Sequence, residues 1–311
     1  MKIACLIGAG ASYALGSRAA KTFDREGRPR WEEPPLLDEL FDRLVARSPE
    51  VWSHLSSSFR DENFEVAMDA AWHKVEQFAL TKSVGEYFAS LEMHQRDGVY
   101  AHLVRAFRPR LLDTTVFASL NYDTLFEQAV EGLPLAVDYG FGRRPNGGNH
   151  VTVLKLHGSS NFFPQVPDGV FLEGTVSIDN RGLIGGRILH VPPKESRRRY
   201  RSRNQVECTP AMSLITPGKP MPVGEDDIAE LRQRWQTWLS ETDLIILIGV
   251  RPVPTDEHIW GPIVQSRADV WYIGGNPEWL LNNTAGRTTW LSKSFDSASL
   301  QRIRKGLREK T

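Results

Sequence analysis

Ile3-Ala4-Cys5-Leu6-Ile7 runs directly into Gly8-Ala9-Gly10-Ala11-Ser12. An unbroken apolar run that ends in glycines reads as a strand buried on both faces, the pattern of a central strand in a parallel sheet. The glycines then form a tight turn in which the backbone can approach a diphosphate and the amides of a following helix favour an anion. GxG alone is also a common packing turn between strand and helix. The dehydrogenase fingerprint would place a third glycine where Tyr13 stands, and an acidic residue at a strand end about 20 residues on. Asp24 and Glu26 lie near that distance but in no strand pattern, which disfavours an ordinary dehydrogenase.

Working outward, similar runs recur at 114–120 (TTVFASL), 151–156 (VTVLKL), 243–248 (DLIILI), 269–273 (DVWYI) and 288–291. Amphipathic stretches at 122–130, 226–240 and 297–307 lie between or after them. Strands alternating with helices predict an α/β fold, a Rossmann-like doubly wound parallel sheet. Residues 13–35 are polar and expected as a loop or lid. Residues 36–110 carry apolar positions three and four apart (LLDELFDRLV, FEVAMDAAWHKVEQFAL, VGEYFASLEM, VYAHLVRAF) and are expected as a helical insertion. Residues from about 161 to 215 are expected as a second, irregular insertion. The sheet domain is then 1–35 with 111–311, and the helical insertion is 36–110.

Composition narrows the functional classes. The chain has 311 residues, 41% hydrophobic and 24% charged, with zero net charge. That is ordinary for a globular protein and gives no global footprint for a polyanion or a membrane surface. Cys5 and Cys208 are the only cysteines, with no CxxC pair, which argues against a disulfide scaffold or a cysteine-built zinc site and fits a reducing compartment. No apolar run approaches the roughly 20 residues of a membrane span. The strand pattern beginning at Lys2 leaves no signal peptide, so a cytoplasmic location is expected.

Three polar clusters follow expected strands: Gly8 to Ser12, Asn121 with Asp123, and His157 with Gly158, Ser159 and Ser160. In an open parallel sheet, ligands bind at the carboxyl rim of the strands. Asn121 offers both donor and acceptor atoms to a ribose hydroxyl or a water. Asp123 could serve beside it or cap the next helix. His157 is the candidate base, since imidazole takes up a proton near neutrality; a lone histidine in such a place is also often structural. His54, His73, His94 and His102 fall in helical patterns and are set aside.

Taken in order, these segments resemble the sirtuin family: a GAGxS turn, an NxD segment and an LHG segment on an NAD-binding sheet. Gly249-Val250-Arg251-Pro252 stands in the place of the family's Gly-Ser/Thr-Ser turn. Pro254-Thr255-Asp256-Glu257-His258 is similar to the LPxxDxH run of its bacterial branch, and Asn276-Pro277 matches the asparagine that meets the adenosine ribose. The two CxxC pairs of the zinc ribbon and the GxPxFR loop are absent from this sequence, and Arg251 replaces a small hydroxyl residue. The resemblance therefore implies the bacterial branch that hydrolyses NAD to nicotinamide and ADP-ribose, often as an effector of anti-phage defence. It implies NAD as substrate, no metal, and His157, Asn121 and Asp123 as catalytic residues. Gly8, Ala9, Gly10, Ser12, Asn121, Gly249 and Asn276 would hold the dinucleotide. It also implies a homo-oligomer and a second defence protein, such as an ATPase or Argonaute-type subunit. NAD-dependent lysine deacylation and a non-enzymatic NAD or ADP-ribose sensor remain open alternatives. The basic run Arg197-Arg198-Arg199-Tyr200-Arg201-Ser202-Arg203 is a weak nucleic-acid signal or a docking patch for an acidic partner.

Overall fold

The computed structural model describes residues 1–16, 20–23, 28–53, 68, 77–93, 98–142, 149–165, 187–201, 209–213, 221, 223–254 and 256–310. Seven strands form the central sheet: β1 (Ile3–Ile7), β5 (Thr115–Ser119), β6 (Ala136–Asp138), β7 (His150–Lys155), β10 (Leu244–Ile248), β11 (Asp269–Ile273) and β12 (Thr288–Ser292). Their spatial order is β12-β11-β10-β1-β5-β7-β6, and every neighbouring pair is parallel. The chain leaves β1 toward β5 and later returns on its other side as β10. The topological switch point therefore lies between β1 and β10, where ligands of doubly wound sheets sit.

Register aligns the strand ends. Ile7 stands opposite Ser119 and Ile248, Ser119 opposite Lys155, and Ile248 opposite Ile273. Gly8, Leu120, Leu156, Gly249 and Gly274 therefore leave the sheet at one level and build a common rim.

Each central strand is buried on both faces because side chains alternate along it. Ile3, Cys5 and Ile7 enter one hydrophobic core, while Ala4 and Leu6 enter the other. The helices are α1 (Ala9–Tyr13), α2 (Leu37–Arg47), α3 (Pro49–Trp52), α4 (Gln77–Ala89), α5 (Val99–Ala106) and α6 (Pro109–Leu112). They continue as α7 (Leu125–Glu131), α8 (Pro193–Tyr200), α9 (Glu225–Ser240), α10 (Glu257–Gln265), α11 (Glu278–Asn283) and α12 (Ser297–Lys310). The first core joins the sheet to α2, α3, α4, α5, α7 and α12. The second joins it to α9, through Ile228, Leu231, Trp235 and Leu239, and to α10 and α11. Burying each such large apolar side chain is worth roughly 1.5–3 kcal/mol. The helical stretch between β1 and β5 thus shares one continuous core with a face of the sheet.

Three features go beyond the sequence pattern. Part of the expected loop at 13–35 forms strands: β2 (Ala20–Phe23) pairs antiparallel with β3 (Pro29–Glu32) and β4 (Glu92–Met93). Most of β3 is exposed, so its sequence lacks the alternation that a buried face imposes. Strand β6 is a three-residue edge strand, too short to show a period. In the expected irregular insertion, β8 (Phe162–Pro164) and β9 (Ile188–His190) pair antiparallel as a two-stranded sheet. Most of the FEVAMDAAWHKVEQFAL helix, Asp24, Glu26, His54, His73, His94 and Cys208 lie outside the described residues.

Candidate active site at the carboxyl rim

The glycine turns of β1 and β10 interlock. Gly10 N–H donates to Gly249 O at 2.9 Å, and Gly8 N–H donates to Ile248 O at 3.0 Å. A Cβ on Gly10 would sit 3.0 Å from Gly249 O and 3.1 Å from its Cα. Gly249 has φ +62, and a side chain there would overlap the Ala11 backbone. These glycines are required by backbone packing whether or not a phosphate binds. Ala9 remains exposed beside them, and Arg251, Gly275 and Asn276 are exposed on the same rim.

Beneath the turn lies a buried polar network. Asn121 Nδ2 donates to Gly8 O at 3.1 Å and to Ser12 Oγ at 3.0 Å. Ser12 Oγ donates to Asp123 Oδ2 at 3.0 Å and lies 2.9 Å from the Tyr100 hydroxyl. Asp123 Oδ1 accepts from Leu125 N at 2.9 Å, so it also caps the start of α7. Lys155 Nζ donates to Asp123 O at 2.6 Å and pairs with Glu127 Oε1 at 3.0 Å. Ser12, Tyr100, Asn121, Asp123, Glu127 and Lys155 are all buried. Burial raises the pKa of both Asp123 and Glu127, against the lowering influence of the Lys155 ammonium.

His157 leaves β7 and is 6% exposed. Its ring centroid is 5.5 Å from that of His258, at a 54° tilt. Its carbonyl accepts Ser213 N at 2.9 Å, and the peptide before it is held by Arg232 Nε on Leu156 O at 2.9 Å. Gly158 has φ +77, and a bridge to Met212 lays residues 211–213 along this loop. His157 stands two strands from Gly8, about 10 Å across at ordinary strand spacing. Asn276 is exposed, and its Oδ1 caps α11 by accepting Glu278 N at 2.9 Å.

The rim thus brings together Gly8, Ala9, Gly10, Ser12, Asn121, Asp123, Gly249 and His157, with Asn276 farther along at the end of β11. Tyr100, Glu127, Lys155 and His258 join them without having been singled out as site residues. A lysine inside the apolar run VTVLKL was a readable signal, since a buried ammonium demands a carboxylate. Tyr100 carried none.

Elsewhere, Arg197 pairs with Glu92 at 3.3 Å, Arg198 pairs with Glu195 at 3.0 Å, and Arg199 lies 5.3 Å over the Phe163 ring. A groove of about 820 Å³ lined by Lys2, Asp138, His150, Arg234 and Trp238 lies at the opposite, amino-terminal end of the sheet. Among the described residues, no three His, Cys, Asp or Glu side chains are grouped to hold a metal, and no helix is long and apolar enough to cross a membrane.

A seven-stranded parallel sheet with interlocked glycine turns at its switch point defines a Rossmann-like α/β protein. No family model matches the chain, and no curated protein matches it. Among solved structures it is similar to a mutant Sir2 homologue in complex with 2′-O-acetyl ADP ribose, at 14% identity and a TM-score of 0.44, covering 99% of this chain and 92% of that one.

Proposed function

We propose that this chain is a sirtuin-like NAD glycohydrolase that cleaves NAD to nicotinamide and ADP-ribose. The observation that carries the reading is the aligned rim. Asn121 follows β5 and bonds the β1 glycine turn, while His157 follows β7 on the same rim, two strands from that turn. Both amide hydrogens of Asn121 are spent on Gly8 and Ser12, which turns Oδ1 into the acceptor for a ribose hydroxyl or the attacking water. In this reading the diphosphate lies over the turn at Ala9, which is exposed at the start of α1. The nicotinamide–ribose bond breaks with nicotinamide leaving as a neutral molecule and the ribose passing through an oxocarbenium-like state. A water oxygen bonds to the anomeric carbon, and its proton goes to His157. Asp123, Lys155 and Glu127 hold the frame beneath.

Ser12 and Asp123 are engaged by intrachain bonds, and this favours, as a second reading, a module that binds NAD or ADP-ribose without turnover. Action in anti-phage defence, homo-oligomerisation and a second defence protein as partner belong to the main proposal and rest on the sequence resemblance alone.

The test incubates the purified chain with NAD, with and without an acylated lysine peptide, and follows nicotinamide and ADP-ribose. Release without peptide, reduced to a few per cent or less in folded His157→Ala, is the expected result, since a general base contributes about 10²–10⁴-fold. Release that depends strictly on the peptide would assign a deacylase. Tight binding with no release would assign the sensor. Full activity in His157→Ala would remove the catalytic base assigned here.

A further inference from the structure

Helix α5 belongs to the helical stretch between β1 and β5, yet it sends a side chain under the rim. Tyr100 is fully buried, and its hydroxyl lies 2.9 Å from Ser12 Oγ. Ser12 has one proton and two lone pairs. Asn121 Nδ2 fills one lone pair, and the proton goes to Asp123 Oδ2. With Asp123 ionised, the second lone pair takes the Tyr100 proton, and the hydroxyl of Ser12 is saturated. Burial keeps the Tyr100 phenol far from ionisation, so it stays a donor. Its ring is fixed independently of the hydroxyl, edge-on to Phe126 at 5.4 Å and tilted against Phe295 at 6.0 Å.

We propose that Tyr100 is a positioning residue for Asn121, through which the helical layer sets the geometry of the rim. The inference rests on the reading of Asn121 as the group that meets the substrate ribose. Asn121 is aimed by two anchors, the Gly8 carbonyl and Ser12 Oγ, and the second is itself aimed by Tyr100 and Asp123. Removing the phenolic proton frees one lone pair of Ser12 and loosens its rotamer. The error passes to the Asn121 amide and hence to Oδ1.

The experiment compares Tyr100→Phe with Tyr87→Phe in the full chain. Tyr87 lies in the same layer but donates to Glu32 at 2.6 Å, which makes it a matched loss of one hydroxyl away from Ser12. Nicotinamide release gives kcat and KM, and hydrogen exchange by mass spectrometry follows segments 8–13 and 119–125. Tyr100→Phe should lower kcat by roughly ten- to a hundredfold, the scale of a misplacement near 1 Å. KM should stay within about threefold, the signature of a loss felt in the transition state. Exchange should quicken in both segments, and Tyr87→Phe should match wild type. In a Ser12→Ala background, Tyr100→Phe should add nothing, because the hub is already gone.

Unchanged exchange in both segments in Tyr100→Phe would overturn the proposal. So would a kcat loss that merely follows a lower unfolding midpoint, with protection lost along the whole chain. If wild type releases no nicotinamide, the NAD hydrolase reading fails by itself, and the exchange comparison still decides the role of Tyr100.

Discussion

Glu127 of α7 and Lys155 of β7 face each other at 3.0 Å, with both side chains shut away from solvent. Removing the ammonium would strand a carboxylate in the interior. Lys155→Met should therefore destabilise the fold by about 3–5 kcal/mol, the usual cost of leaving half of a buried pair. Denaturant unfolding measures it. Adding Glu127→Gln to Lys155→Met should recover part of the loss, because the residual charge is then gone.

The same cluster should make stability fall as pH rises. Burial raises the pKa of Asp123 and Glu127, and one lysine serves both: it pairs with the Glu127 carboxylate and bonds the backbone carbonyl of Asp123. The folded chain keeps protons that the unfolded chain releases, so stability declines from the ordinary carboxylate range near about pH 4 up through the raised folded values. In Glu127→Gln the decline should be shallower. Unfolding free energies measured between pH 4 and 7 on both proteins, with equal slopes, would contradict this assignment.

Gly249 adopts φ +62 with the Ala11 backbone against it. Gly249→Ala should cost at least about 1–3 kcal/mol, from backbone strain together with overpacking. Because the displaced partner is the β1 turn, NAD binding should weaken as well. Calorimetric unfolding and titration with NAD report the two effects separately.

Asn121→Asp replaces the amide nitrogen that donates to both the Gly8 carbonyl and Ser12 Oγ with a single acceptor oxygen. Loss of these buried bonds should cost about 1–3 kcal/mol and abolish NAD cleavage. A folded Asn121→Asp protein with wild-type turnover would show that the side chain's orientation does not matter.

The arginines at 197–199 are engaged within the chain by Glu92, Glu195 and the Phe163 ring. Arg198→Ala, at the exposed pair with Glu195, should lower stability by no more than about 1 kcal/mol, and the half-buried Arg197 and Arg199 should add to that in the triple alanine variant. The triple variant should leave weak oligonucleotide binding and its salt dependence unchanged. A salt slope that falls with each arginine removed would support the nucleic-acid reading.

Several elements were legible because burial writes its own pattern. IACLI, TTVFASL, VTVLKL, DLIILI and DVWYI are buried on both faces and show it as continuous apolar runs. The helix at 225–240 displays Ile228, Leu231, Trp235 and Leu239 at helical spacing. Strands β2, β3 and β6 were illegible because they are short or exposed, so no apolar period marks them. The bond from Asp123 to the start of α7 was foreseeable, since an aspartate just before a helix commonly caps it.

The sequence by itself determined six of the seven central strands, their ends and the polar residues placed on them, because periodicity and glycine placement are local properties of the chain. Only the tertiary structure decided what those residues touch. It gave Ser12 to Tyr100, Asp123 and Asn121, locked Gly10 against Gly249, and set His258 beside His157. Those partners lie up to 239 residues apart, as Gly10 and Gly249 do, and hydrogen-bond saturation is a property of folded neighbours that no local pattern records.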